Sequence, residues 1–133
     1  NDLLKAAGEL KSQLNANELA KDGTAARRCV GALMGKLILH LTTEDKVLYP
    51  ELEAHKDPAV ANMARRFSSE MKTTAKAVTA YNEKWATPSA IKAKPTEFMA
   101  ETEKLIQVLA DRIKRENQEL YATADRVEGA VFA

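Results

Sequence analysis

The sequence predicts an all-α fold, an antiparallel up-down four-helix bundle. Three observations carry this. Ala, Leu, Lys and Glu dominate, glycines number only 5, and runs of β-branched residues are absent. Apolar residues recur at helical spacing through four segments. Prolines and an Asp-Gly break separate those segments by short connections. Four amphipathic helices joined this way pack most economically as an up-down bundle. The 133 residues fit one domain, 1–133. A chain of that size buries most of its apolar surface without disulfides or structural metals.

The first helix is expected over Asp2 to Leu19, with Leu3, Ala7, Leu10 and Leu14 spaced 4-3-4. "KDGTAA" breaks it, and Asp22 or Thr24 can cap the second helix. That helix runs to about Tyr49, where Pro50 interferes with continuation. "ELEAHKD" connects onward with room for one helical turn. Asp57-Pro58 reads as an N-cap followed by proline at the first helical position. The third helix continues to about Trp85 on a stripe of Val60, Met63, Phe67, Met71, Thr74, Val78, Tyr81 and Trp85. "ATPSAIKAKP" is expected to be a loop anchored by Ile91. The fourth helix starts near Pro95 or Thr96 and passes Tyr121, as far as Glu128.

Charge and cysteine content narrow the function classes. Twenty basic and 19 acidic residues leave a net charge of +1. That balance argues against nucleic acid or an anionic membrane as partner. No segment approaches the ~18 uninterrupted apolar residues of a membrane span, and none has the make-up of a signal peptide. The chain starts at Asn1 without methionine, which leaves room for a preceding segment. Cys29, the only cysteine, excludes an internal disulfide and a cysteine-rich zinc site. It reads as a small buried apolar residue. The expected location is the reducing cytoplasm.

Ionisable residues stand where core residues belong. The inner stripe of the second helix is Leu33, Leu37, His40, Glu44 and Val47. His40 and Glu44 share one face at i,i+4. The fourth helix repeats the pattern with Phe98, Thr102, Leu105, Leu109, Arg112, Glu116 and Leu120. "HLTTEDKVLY" aligns without gaps on "RIKRENQELY", 72 residues later. Five of the ten positions share chemistry, and those are mostly the inward ones. Two similar helical hairpins would produce such an echo. The second and fourth helices would then be diagonal, letting the polar pairs meet across the core.

A buried charge must be satisfied internally. Three solutions are open. His40, Glu44 and Glu116 can hold a metal. Arg112 can pair with Glu44 and Glu116, with His40 nearby. Or water can enter an open bundle end. Tyr49 and Tyr121 read as packing residues at that end, and Met63, Met71 and Trp85 as core. His55, off the stripe, reads as a solvated loop residue.

"HLTTEDKVLYPEL", "FSSEMKTTAKAVTAYNEKW" and "FMAETEKLIQVLADRIKRENQELY" together resemble the hemerythrin-like (HHE cation-binding) domain family. The resemblance spans essentially the whole chain. It implies a four-helix bundle built around a non-haem di-iron centre. The ligands it implies are a histidine from helix one, a His-x-x-x-Glu pair from helix two, a histidine from helix three and a second His-x-x-x-Glu pair from helix four. This chain supplies His40, Glu44 and Glu116 at those positions. Met71 replaces the helix-three histidine and Arg112 the helix-four histidine. The helix-one position falls near Asn1, where no histidine stands.

Met71 is a soft donor, unsuited to iron among oxygen ligands. Arg112 cannot ligate and brings a fixed positive charge. It can instead supply the charge of the missing ion, its planar fork serving two carboxylates. With His40 protonated, Arg112, Glu44 and Glu116 bring the cluster to zero charge; with His40 neutral it carries −1. The expected function is therefore a non-enzymatic sensory or interaction domain without a cofactor, its buried His40 titrating near neutrality. The alternative is a mononuclear or di-iron protein for oxygen, nitric oxide or iron handling. A protein partner or homodimer is compatible with either. No Ser/His/Asp or Cys/His set and no phosphate loop points to an enzyme.

Overall fold

The computed structural model describes residues 2–122, apart from the Tyr121 side chain. Every secondary-structure element among the described residues is a helix. The helix-one position near Asn1, the packing of Tyr121 and the extension to Glu128 lie outside them.

Helix α1 spans Asp2–Lys11 and buries Leu3, Ala6, Ala7 and Leu10. It does not continue to Leu19. Ser12 Oγ donates to the Glu9 carbonyl, and Asn15 caps a separate short helix, α2 (Ala16–Lys21), by accepting from the Glu18 amide. The polar run "SQLNAN" favours such local bonds over another helical turn. Helix α3 spans Thr24–Thr43. Asp22 accepts from both the amide and the hydroxyl of Thr24 just ahead of it.

The chain does not stop at Tyr49. A π-helical turn, Glu44–Leu48, carries it into α4, Tyr49–Glu53. The wider turn changes the register. Leu48 becomes the buried residue, and Val47, expected inside, is 56% exposed. Helix α5 (Pro58–Lys84) opens as expected, with Asp57 accepting from the Ala59 amide and proline in the first turn. The expected loop after Trp85 contains α6 (Pro88–Ala93), capped by Thr87, with Ile91 fully buried. Helix α7 (Pro95–Arg115) leads into a second π-helical turn, Glu116–Tyr121. Proline follows only the first π turn, so it is not their common cause. Each begins at the glutamate of the repeated motif.

Helix α3 packs between α1 and α5, and α7 with its π turn packs between α5 and α1. Helices α3 and α7 are thus the diagonal pair, as in an up-down bundle. Two apolar clusters fill the interior. One joins Leu3, Leu10, Leu33, Leu37, Trp85, Ile91, Phe98 and Leu109. The other joins Leu48, Tyr49, Leu52, Phe67, Met71 and Leu120. Thr102 is buried in the first but is satisfied by the Tyr81 hydroxyl at 2.7 Å. Cys29 is only half buried, at the edge of this cluster.

Gly23 marks a close approach between helices. A Cβ there would lie 2.5 Å from the Pro88 carbonyl oxygen. Backbone at both sides cannot yield cheaply. Gly23→Ala is expected to lower the unfolding free energy by about 1–3 kcal/mol, read as an earlier midpoint in urea.

Candidate functional site

The two diagonal helices deliver their motif residues to one place, between the two apolar clusters. His40 comes from the last turn of α3, and Glu44 opens the first π turn. Arg112 comes from the last turn of α7, and Glu116 opens the second π turn. Glu44, Arg112 and Glu116 are buried, whereas the His40 side chain keeps 30% of its exposure. The imidazole therefore stands at the mouth of the cluster, not inside the core.

His40 Nε2 lies 3.3 Å from Glu44 Oε2 and 3.6 Å from Glu116 Oε1. Arg112 Nη2 lies 3.8 Å from Glu44 Oε1 and 3.8 Å from Glu116 Oε2. Each cation thus bridges both carboxylates, but without a direct hydrogen bond to either. The Arg112 fork does not clasp them. Its Nη2 donates instead to the Tyr49 hydroxyl at 2.5 Å and to the Phe67 carbonyl at 3.2 Å. Tyr49 in turn donates to Glu116 Oε2 at 2.8 Å. The chain Arg112–Tyr49–Glu116 is the hydrogen-bonded spine of the site.

Tyr49 is therefore a member of the polar cluster and not only a packing residue. The sequence held a signal for it. Leu-Tyr closes both halves of the repeat, at the same distance from Glu44 as from Glu116. Tyr49→Phe keeps the packing and removes the bridge. It is expected to cost about 1.5–3 kcal/mol, as for a hydrogen bond to charged groups, measurable by chemical denaturation.

The two glutamates diverge because their donors differ. Neither Glu44 oxygen accepts a hydrogen bond. Burial, reinforced by the Glu116 charge, pushes its carboxyl up to about 7. Burial also pushes Glu116 upward, but His40, the Glu44 carboxyl, Arg112 and the Tyr49 hydroxyl outweigh it and hold Glu116 down to about 2. Glu116 and then Glu44 hold the His40 imidazolium up to about 10. The neutral-range proton expected on His40 thus belongs to the glutamates. Burial and both carboxylates raise Tyr49, so it stays an O–H donor.

Met71 is buried in the second apolar cluster and serves as core. His55 is half buried, not fully solvated, and its Nδ1 accepts from the Asp57 amide at 2.9 Å. It orders the connector ahead of α5 and lies outside the site.

A di-iron centre does not fit these residues. One imidazole and two carboxylates are too few donors for two ions, and Arg112 puts a permanent charge beside both carboxylates. A single cation has a donor set to consider. One ligand atom each from His40, Glu44 and Glu116 lies within 4.8 Å of the others. His40 Nε2 and both Glu44 oxygens are buried without a hydrogen bond.

No match was found among curated proteins or among solved structures. The family model for the hemerythrin HHE cation binding domain matches residues 1–124. With that match over nearly its whole length, and a helical bundle whose inward faces carry the His-x-x-x-Glu motif, this chain belongs to the hemerythrin HHE cation-binding domain family.

Proposed function

We propose that this domain has given up the family's di-iron centre for a charge-balanced side-chain cluster, and that it acts as a sensory or interaction domain without enzymatic activity. The observation that carries the reading is Arg112. It is buried, it lies 3.8 Å from both glutamates, and the Tyr49 hydroxyl and Phe67 carbonyl fix its position. An ion held between the same glutamates would meet that guanidinium at close range. Repulsion between unit charges 4 Å apart is about 4 kcal/mol at an effective dielectric of 20, and a divalent ion doubles it. The ion must also displace the His40 proton, since only neutral imidazole ligates. The lone, half-buried Cys29 thiol fits a reducing, cytoplasmic setting.

A second reading rests on the unpaired donors. His40, Glu44 and Glu116 would hold one divalent cation, which when bound supplies a Lewis-acid centre able to take a small ligand such as oxygen or nitric oxide. The orphaned atoms of His40 and Glu44, beside the Glu116 carboxylate, favour it. Elemental analysis after anaerobic iron loading separates the two. Substoichiometric iron is expected. One iron or more per chain, with a charge-transfer band, overturns the metal-free reading.

The cluster also sets a pH profile. His40 is raised from 6.5 to about 10, so its contribution is complete below about 6.5 and disappears as pH climbs through 10. Glu44 is raised from 4.5 to about 7. Its folded form holds the proton more tightly, so stability falls as pH rises from 4.5 through 7. Glu116 is lowered from 4.5 to about 2, so its contribution is present above 4.5 and fades toward pH 2. Thermal stability should therefore peak near pH 4.5, decline from there as Glu44 ionises, and decline further above pH 6.5 as the His40 contribution is lost. His40→Gln should flatten the alkaline limb above about pH 7. An unchanged limb in that variant would show that another group sets it.

A further inference from the structure

Helix α3 is apolar on both of its sides. Inside it buries Ala26, Val30, Leu33, Met34 and Leu37. Outside, Ile38 is 58% and Leu39 69% exposed. Gly31 and Gly35 stand in open space, with nothing within 4 Å of where a Cβ would be. Arg28, Gly31, Gly35, Ile38, Thr42 and Asp45 are all exposed and follow one another at 3-4-3-4-3 spacing. From Arg28 to Thr42 that spacing is a single seam along α3, about 21 Å long at 1.5 Å per residue, and Asp45 extends it into the π-helical turn that follows. A helix apolar on both sides is normally covered on both sides.

We propose that a second copy of this chain covers the seam, α3 lying antiparallel on α3 about a two-fold axis between residues 36 and 37. In that register, residues whose numbers sum to 73 stand opposite each other. Ile38 of each copy then falls on Gly35 of the other, and Thr42 falls on Gly31. A bulky side chain meets an absent one twice, so the seam is self-complementary. The charges at its ends agree. Arg28 faces Asp45 at both ends, and neither makes an ion pair within its own chain among the described residues. A parallel pairing would set Arg28 on Arg28 and Asp45 on Asp45. Only the antiparallel one matches charge with shape, and it closes on itself as a two-fold interface does. The contact is a single pair of helices, at the low end of interface sizes, so the dimer exchanges with monomer. The inference stands on the outer face of α3 and does not depend on what the buried cluster holds.

Sedimentation equilibrium over a wide concentration range tests it. The average mass should climb from one chain's 14.6 kDa toward twice that value. Ile38→Glu, at an exposed position, should hold the mass at one chain with unchanged helical content by circular dichroism. Asp45→Arg should raise the dissociation constant at least tenfold, and adding Arg28→Asp should restore it. Monomer at every concentration, or a dimer indifferent to Ile38→Glu, overturns the proposal and leaves the seam to a different protein. Failure of the double charge exchange to restore the dimer overturns the antiparallel register.

Discussion

Arg112→Ala should lower the unfolding free energy by about 3–5 kcal/mol, the usual consequence of removing one partner from a buried ionic cluster. The reason is what it leaves behind. Glu116 would lose one of its two cationic neighbours, keeping only His40, and Tyr49 the donor to its hydroxyl. Glu44, which accepts no hydrogen bond as it is, would keep only His40. Denaturation in urea measures the loss. Arg112→Ala combined with Glu44→Gln and Glu116→Gln separates charge from packing. If unpaired carboxylates are the cause, the triple variant recovers much of the stability lost. If the cause is the volume of the arginine side chain, neutralising the glutamates recovers nothing. A loss under about 1 kcal/mol would mean that the two 3.8 Å ion pairs contribute as little as exposed ones do.

Arg112→His with Met71→His should convert the site toward a metal centre. The first change removes a positive charge that lies 3.8 Å from an oxygen of each glutamate; at ~4 Å and an effective dielectric of 20 such a charge is worth about 4 kcal/mol per unit of ionic charge. Both changes add imidazole donors at the positions that the sequence resemblance assigns to histidine ligands. Iron affinity should rise by on the order of a hundredfold or more, since each 1.4 kcal/mol is tenfold. Iron content and visible absorption after anaerobic loading would report it. A double variant that takes up no more iron than the parent would show that Met71 and Arg112 do not occupy ligand positions. Read with the single variant, the pair of experiments asks whether Arg112 replaces an ion or merely excludes one.

The bundle was legible because its signals are local. Asp57-Pro58 announced the start of α5, and Ile91 announced its own burial. The stripe from Phe98 to Leu120 is buried at every position that periodicity assigned. Local signals misled where the backbone departs from the regular helix. A strict 3.6-residue period put Val47 inside, but a π-helical turn adds nearly a residue and buries Leu48 in its place. Proline at position 50 suggested an end where the chain continues to Glu53. Asn15 interrupted a stripe that looked continuous.

The sequence by itself determined which groups point inward. The repeat from His40 to Tyr49 and from Arg112 to Tyr121 puts His40, Glu44, Arg112 and Glu116 on inward stripes, where an up-down bundle with those helices diagonal lets them meet across the core. What it could not determine was the pairing within that neighbourhood. Periodicity locates a Cα on a helix face, but hydrogen bonding depends on side-chain direction at a scale of 1 Å. Only the tertiary structure decided that Arg112 turns to Tyr49 and the Phe67 carbonyl, and that Glu116 receives the Tyr49 hydroxyl. That choice leaves Glu44 without a donor, and so moves the neutral-range proton from the histidine to the glutamates.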